Sequence, residues 1–257
     1  MKLLSYNLNG IRAALNKDLH SWLKSANPDV LCLQELKASP EQFDTAQFED
    51  LGYHCFWFPA EKKGYSGVAV LSKEKPKSVK YGCGNAQYDS EGRVLQADFQ
   101  NFSAISIYVP SATNIDRLSF KMEFCEYFLN YIKDREKEFP NLIISGDFNI
   151  CHEAIDINDP VRNAKVSGFL PEEREWLSRF FEQCHLVDSL RVFNDQPFQY
   201  SWWTYRVKTA RPNNKGWRID YNLVTQPLKT DLERAYILSQ AMHSDHAPVG
   251  IEMKSQV

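Results

Sequence analysis

The six cysteines of this 257-residue chain, at positions 32, 55, 83, 125, 151 and 184, show no Cys-x-x-Cys spacing. That absence argues against a zinc site. Several of them sit in apolar runs, so they read as reduced core residues of a cytoplasmic protein and not as a disulfide frame. No apolar run approaches the roughly 18 residues needed to span a membrane, and the first strand-like segment follows Met1 almost at once, leaving no room for a signal peptide. A surplus of positive charge is also missing. With 33 acidic and 30 basic side chains the formal net charge is −3, which argues against a surface coated in cations. Linker, strict repeat and low-complexity tract are absent as well. One domain over residues 1–257 is therefore expected, since roughly 250 residues is within reach of a single core.

What the chain does have is a recurring pattern of apolar runs that hand over to polar or acidic residues. Leu142-Ile143-Ile144 leads to Gly146-Asp147-Phe148-Asn149, Lys2 to Tyr6 ends at Asn7 and Asn9, and Val30 to Leu33 ends at Gln34-Glu35. Ala104 to Ile107 ends at Tyr108, Trp217-Arg218-Ile219 reads as a strand leading into Asp220-Tyr221, and Ser244-Asp245-His246 precedes Ala247 to Ile251. Functional side chains concentrate where core strands meet loops. An Asp after one strand is commonly a turn residue, but six such clusters can converge on one rim of a sheet.

Strand candidates at 53–58, 67–71, 94–99 and 104–109 alternate with a few helices. The spacing predicts helices over 16–26, over 116–138 with Asp116 as cap, and from Pro171 with Trp176, Leu177, Phe180, Phe181 and Cys184 on its apolar side. Such a chain suggests sheets packed face to face with helices outside. Asn-Leu-Asn at 7–9 faintly echoes Asp-Phe-Asn at 147–149, a hint of two similar halves. From 196 to 219 the chain carries Arg206, Lys208, Arg211, Lys215 and Arg218 without an acidic residue, interleaved with Trp202, Trp203, Tyr205 and Trp217. This is either a grip for a phosphate backbone or a solvated loop whose aromatics serve the core.

The clusters suit phosphate chemistry. Glu35 and Asp245 are hard oxygen ligands, and Mg²⁺ takes one or two carboxylates while water and phosphate oxygens complete its octahedron. Cutting a phosphodiester needs an activated water, counter-charge and help for the leaving oxygen. His246, its tautomer fixed by Asp220, could meet one requirement. Asp147 could hold the water or protonate the leaving group with Asn149 and Asn7 orienting it, and Tyr108 offers a phenol to a non-bridging oxygen.

Seven ordered motifs carry a resemblance over about residues 1–252: Ser5 to Ala13, Leu33-Gln34-Glu35, Gly64-Tyr65-Ser66-Gly67, Glu91-Gly92-Arg93-Val94, Gly146-Asp147-Phe148-Asn149, Gly216 to Tyr221, and Ser244-Asp245-His246. The chain resembles the exodeoxyribonuclease III-like apurinic/apyrimidinic endonucleases. That resemblance implies a four-layered, DNase I-like α/β sandwich of two packed mixed sheets flanked by helices. It also implies Glu35 as principal Mg²⁺ ligand (Mn²⁺ as a substitute) with Asn7 and Asp245 nearby, and Asp147 and Asn149 at the attacking water. Tyr108 would sit at the scissile phosphate and Asp220 with His246 would form a pair. Asn163 would touch the target phosphate, Tyr65 and Arg93 the DNA strand, and Trp202, Trp217 and Ile219 a flipped abasic sugar. The family pattern leaves the general base open between His246 and Asp147. Departures are Asn9 where animal members have Asp, Ser111 where many have Asn, and a segment 112–116 without the Arg that animal members insert.

The expectation is a monomeric, Mg²⁺-dependent DNA repair phosphodiesterase cutting duplex DNA 5′ to abasic sites, with 3′→5′ exonuclease and cleaning of blocked 3′ ends. Rivals are a phosphodiesterase of the same superfamily acting on RNA or a lipid headgroup, and a DNA-binding homologue without catalysis.

Overall fold

The computed structural model describes residues 1–254. Its strands are β1 (Lys2–Asn7), β2 (Val30–Gln34), β3 (His54–Phe58), β4 (Val68–Ser72), β5 (Ser78–Tyr81), β6 (Val94–Asp98), β7 (Ser103–Tyr108), β8 (Leu142–Asp147), β9 (Leu186–Asp188), β10 (Asp220–Thr225), β11 (Leu232–Ile237) and β12 (Val249–Met253). They form two six-stranded sheets, ordered β11-β12-β1-β2-β4-β3 and β5-β6-β7-β8-β10-β9. Each sheet carries one parallel pair near its middle, β1 with β2 and β7 with β8. The faint echo between the two halves of the sequence thus has a structural counterpart in two sheets of similar plan.

Side chains alternate across a strand, and this alternation sorts the core into layers. On β1 and β8, Leu3 and Ile143 point between the sheets with Val70, Ala97, Val224 and Ile251. Ile144 on β8 instead faces the helices, joining Ile105, Leu223, Phe124, Phe128, Trp176 and Phe180. Leu4, Leu31 and Leu33 do the same on the other flank with Leu19, Leu23 and Phe48. The middle strands are buried on both faces, hence their near-continuous apolar sequences. The result is helix, sheet, sheet, helix, the sandwich expected from the sequence. Among the described residues no helix is long and apolar enough to cross a membrane.

Three expectations are corrected. The helix placed over 16–26 begins only at Leu19 and runs Leu19–Ala26, and a separate short helix, Ile11–Leu15, precedes it. Between them Asp18 takes a left-handed conformation (φ 65°), which interrupts the α ladder. The long helix runs Leu118–Glu138, and Asp116 lies in a preceding 3₁₀ turn where it makes no side-chain cap. Residues 217–219 do not form a strand: Trp217 makes only isolated bridges to Ile157 and Trp202, and the strand begins at Asp220.

Candidate active site

Strand register explains why distant motifs meet. The parallel pair β7 and β8 sets Tyr108 beside Asp147, and the antiparallel pair β8 and β10 sets Asp147 beside Asp220. In the facing sheet the parallel pair β1 and β2 sets Asn7 beside Gln34, one residue before Glu35. Asn7, Tyr108, Asp147 and Asp220 stand an even number of residues from Leu3, Ala104, Ile143 and Val224, which fill the space between the sheets. They therefore point into the mouth of that same layer. Gly146 permits the approach of β7 and β8, since a Cβ there would lie 1.9 Å from the Ile107 carbonyl oxygen.

The Asn7 amide nitrogen joins the sheets at the floor, donating to Glu35 Oε1 at 2.9 Å and to Asp147 Oδ2 at 2.8 Å. Its oxygen accepts the Asn9 backbone N–H. Asp147 also accepts the Asn149 N–H at 2.8 Å, and the Asn149 amide nitrogen reaches Val109 O at 2.9 Å and Asp147 Oδ2 at 3.3 Å. His246 Nδ1 contacts Asp220 Oδ2 at 2.9 Å while its Nε2 stands 3.9 Å from Asp147 Oδ2. Ser201 locks Asp220, donating to it at 2.6 Å and accepting the N–H groups of Ile219 and Asp220.

Burial makes these charges matter. Burial first, and then Asp220, push the Asp147 carboxyl up to about 8, with His246 acting in the opposite sense. Burial opposes charge on His246, yet Asp220 and its hydrogen bond prevail and lift the imidazole to about 10. Burial also holds the Tyr108 phenol well above its ordinary value, reinforced by Glu35 and Asp147, so it remains a donor. Burial would raise Asp245 as well, but His246, Asn9 and Trp202 outweigh it and keep that carboxylate anionic.

Glu35, Asp147 and His246 bring potential ligand atoms within 4.8 Å of one another. Glu35 fits a hard cation best among the three, because its carboxylate reaches the cleft and already attracts the Lys37 ammonium at 2.7 Å. Asn7 turns its nitrogen, not its oxygen, toward Glu35. Asp245 lies one step away, with its oxygens accepting from Asn9 and the Trp202 indole.

Above the floor opens a cleft of about 630 Å³ whose lining includes Asn163, Trp202, Trp217 and Ile219. The Trp202 and Trp217 rings meet edge to face at 5.7 Å. The basic-aromatic segment proves heterogeneous. Arg218 is buried, with Asp156 and Asp188 at 2.7 Å each. Arg211 packs on Trp203 and donates to the carbonyls of Ser239, Ala241 and Ser244. Arg206, Lys208 and Lys215 are exposed. Arg93, expected on the DNA strand, is only 1% exposed and instead donates to Glu91, the Tyr108 carbonyl and the Tyr65 hydroxyl. Its place is behind Tyr65 and Tyr108, fixing them.

Sequence reasoning missed Lys37 and Ser201. Lys37 also donates to Asn9 Oδ1 at 2.5 Å, and its position two residues after Glu35 was the available signal. Ser201 had none, since its partner is 19 residues away in the chain.

Endonuclease/Exonuclease/phosphatase family is the description of the family model that matches residues 4–246. The chain belongs to that family, and within it to the hydrolytic nucleases of DNA repair. It is 44% identical to an exodeoxyribonuclease of Bacillus subtilis over 97% of this chain and 98% of that protein. It is 38% identical to the DNA repair nuclease APEX1 of Danio rerio over 97% of this chain and 81% of that protein. An AP endonuclease structure from Archaeoglobus fulgidus superposes with a TM-score of 0.90 at 30% identity, covering 99% of each chain. The Neisseria 3′ phosphatase NExo bound to a product DNA hairpin gives 0.91 at 28% identity, also over 99% of each.

Proposed function

We propose that this protein is a Mg²⁺-dependent phosphodiesterase, a single catalytic domain acting as a cytoplasmic monomer. It incises duplex DNA 5′ to an abasic site, leaving a 3′-hydroxyl and a 5′-deoxyribose phosphate, and trims blocked 3′ ends by 3′→5′ cleavage. The observation that supports this best is the meeting of Glu35, Asp147 and the Asp220–His246 pair beneath a cleft walled by Trp202, Trp217 and Ile219.

A cation held at Glu35, with Asp147 beside it, would supply charge neutralisation for the phosphate oxygens. The chain's own groups do the rest. His246, lifted to about 10 and fixed by Asp220, is committed as a cation and faces phosphate charge. Asp147, which burial and Asp220 hold above the ordinary carboxylate range in the metal-free site, is placed to act as the general base. It takes the proton of the attacking water as that water's oxygen bonds to phosphorus and the bond from phosphorus to the 3′-oxygen breaks, and the 3′-oxygen takes a proton from solvent to leave as the hydroxyl. The amide nitrogens of Asn7 and Asn149, both on Asp147, fix its orientation. Tyr108 keeps its proton and donates to a non-bridging oxygen. Asn163 reaches the phosphate from the cleft wall, and Tyr65, braced by Arg93, touches the strand beside it.

A panel of substrates tests the reading: a duplex with one abasic site, the matched intact duplex, an RNA hairpin and inositol-lipid vesicles, each in Mg²⁺. Selective incision of the abasic duplex is expected. Preferred cleavage of RNA or lipid, or tight binding of the abasic duplex without cutting, would overturn it.

A further inference from the structure

Lys121 and Glu173 are both fully buried, on the helices Leu118–Glu138 and Pro171–Gln183, and their charged ends meet at 2.5 Å. Two apolar side chains of similar size would hold those helices together as well or better, because a buried ion pair seldom recovers its desolvation cost. The polar contacts of the pair point to what it does instead. Lys121 Nζ donates to the Asn149 carbonyl at 2.8 Å. Glu173 accepts from Gly168 N at 2.5 Å, Leu170 N at 3.0 Å and Ser167 Oγ at 3.1 Å. One member of the pair thus anchors the catalytic loop and the other anchors the loop that walls the cleft.

The two loops touch where the pair holds them. Cys151 N donates to Gly168 O at 2.7 Å. A Cβ on Gly168 would stand 2.8 Å from the Trp217 ring and 3.1 Å from the Asn149 carbonyl oxygen. Asn149 holds a left-handed backbone (φ 52°), a conformation asparagine adopts readily, and its carbonyl is turned to Lys121. We infer that Lys121 and Glu173 are positioning residues that fix Asn149 at the reacting phosphate in register with the Trp217 wall of the sugar pocket. Neither touches substrate. Their effect is to hold the group that acts on the phosphate and the surface that selects the sugar in one geometry, so disturbing the pair lowers turnover and selectivity together. The inference rests on the proposed cleavage reaction at this cleft.

The test is the paired variant Lys121→Met with Glu173→Met, which keeps bulk and leaves no charge unpartnered. A melting temperature close to that of the wild type is expected, with abasic-duplex affinity nearly unchanged. kcat should fall by about tenfold or more, as displacements near 1 Å do, and the preference for abasic over intact duplex should fall with it. Wild-type kcat and preference in the folded double variant would overturn the inference. A second variant, Glu173→Asp, keeps both charges but withdraws the carboxylate by one methylene, guarding against a double variant that does not fold. It should lose selectivity and kcat at unchanged KM, and normal values in the folded protein would likewise contradict the inference. If wild-type protein does not cut the abasic duplex, the proposed reaction fails before either variant is compared.

Discussion

Two clusters in this protein set a buried cation between two carboxylates, one of them with a second guanidinium, Arg191, on Asp156, and they behave oppositely. In the first, Arg218 meets Asp156 and Asp188 at 2.7 Å each. Burial alone would raise Asp156, but Arg218, its hydrogen bond and Arg191 hold that carboxyl below its ordinary value. In the second, His246 meets Asp220 at 2.9 Å but stands 3.9 Å from Asp147, whose carboxyl rises to about 8. A guanidinium presents several donors in a fixed fork and does not titrate, so it neutralises both partners. An imidazole satisfies one partner and leaves the other short of compensation. That unequal pairing separates a structural cluster from a reactive one.

Breaking the structural cluster should have the largest effect. Arg218→Met leaves Asp188 without its guanidinium and the buried Asp156 with Arg191 alone, and is expected to cost about 3–5 kcal/mol of stability. Thermal melting checks this. Activity measured below the melting transition should fall only as far as the Trp217 wall is displaced.

In the reactive cluster the expected effect is on turnover. Asp147→Asn and His246→Asn should each lower kcat by at least about 100-fold while DNA binding survives. For Asp147→Asn, stability should move the other way. Because the native state holds protons on Asp147 between its ordinary value of 3.8 and about 8, and on His246 between 6.5 and about 10, stability at this site declines as pH rises through those windows. Asp147→Asn removes the first contribution. The metal-free variant should therefore melt higher than wild type near pH 8 and converge with it near pH 4. A melting series in chelator across that range decides the matter, and a variant that melts lower at pH 8 would show that Asp147 is fully compensated.

The contrast also explains what was legible in the sequence. Asp147, Glu35, Tyr108 and His246 could be found because each adjoins a short apolar run, and strand register then brings them together. Charge counted along a chain does not reveal burial, so it left Arg211 and Arg218 open between a phosphate grip and a solvated loop, while the resemblance that put Arg93 on the DNA strand carries no burial either. Arg218 finds its partners at positions 156 and 188, which no local pattern links to it. Asp116 fitted the rule for a helix cap, yet the chain enters that helix through a 3₁₀ turn. Lys121 and Glu173 carry no local mark of burial in the sequence, and only the packing of two helices encloses them.

Smaller effects are expected at the cleft wall. Trp202→Ala together with Trp217→Ala should reduce discrimination between abasic and intact duplex by about tenfold, the scale at which hydrophobic pockets discriminate. Cleavage of a phosphodiester without flanking selectivity should fall less. Trp202 also donates to Asp245, so Trp217→Ala alone gives the cleaner measurement of the pocket. Unchanged discrimination would remove the assignment of the wall to the sugar.

The smallest effect belongs to the exposed cations. Removing Arg206 and Lys208 should weaken binding of abasic and intact duplex almost equally and flatten the salt dependence by roughly one logarithmic unit per cation removed. A damage-specific loss of affinity would instead place these side chains at the lesion.

Cation-assisted cleavage at Glu35 is the step on which the proposed function depends. Single-turnover incision of a duplex with one abasic site, titrated with Mg²⁺ for wild type and Glu35→Ala and with product ends mapped, tests this most directly. Wild type should yield a 3′-hydroxyl and a 5′-deoxyribose phosphate, stop in chelator and recover with added Mg²⁺, while Glu35→Ala should stay inactive or need far more Mg²⁺. Cutting at the normal rate by Glu35→Ala with the same Mg²⁺ dependence, or by wild type in chelator, would contradict the account.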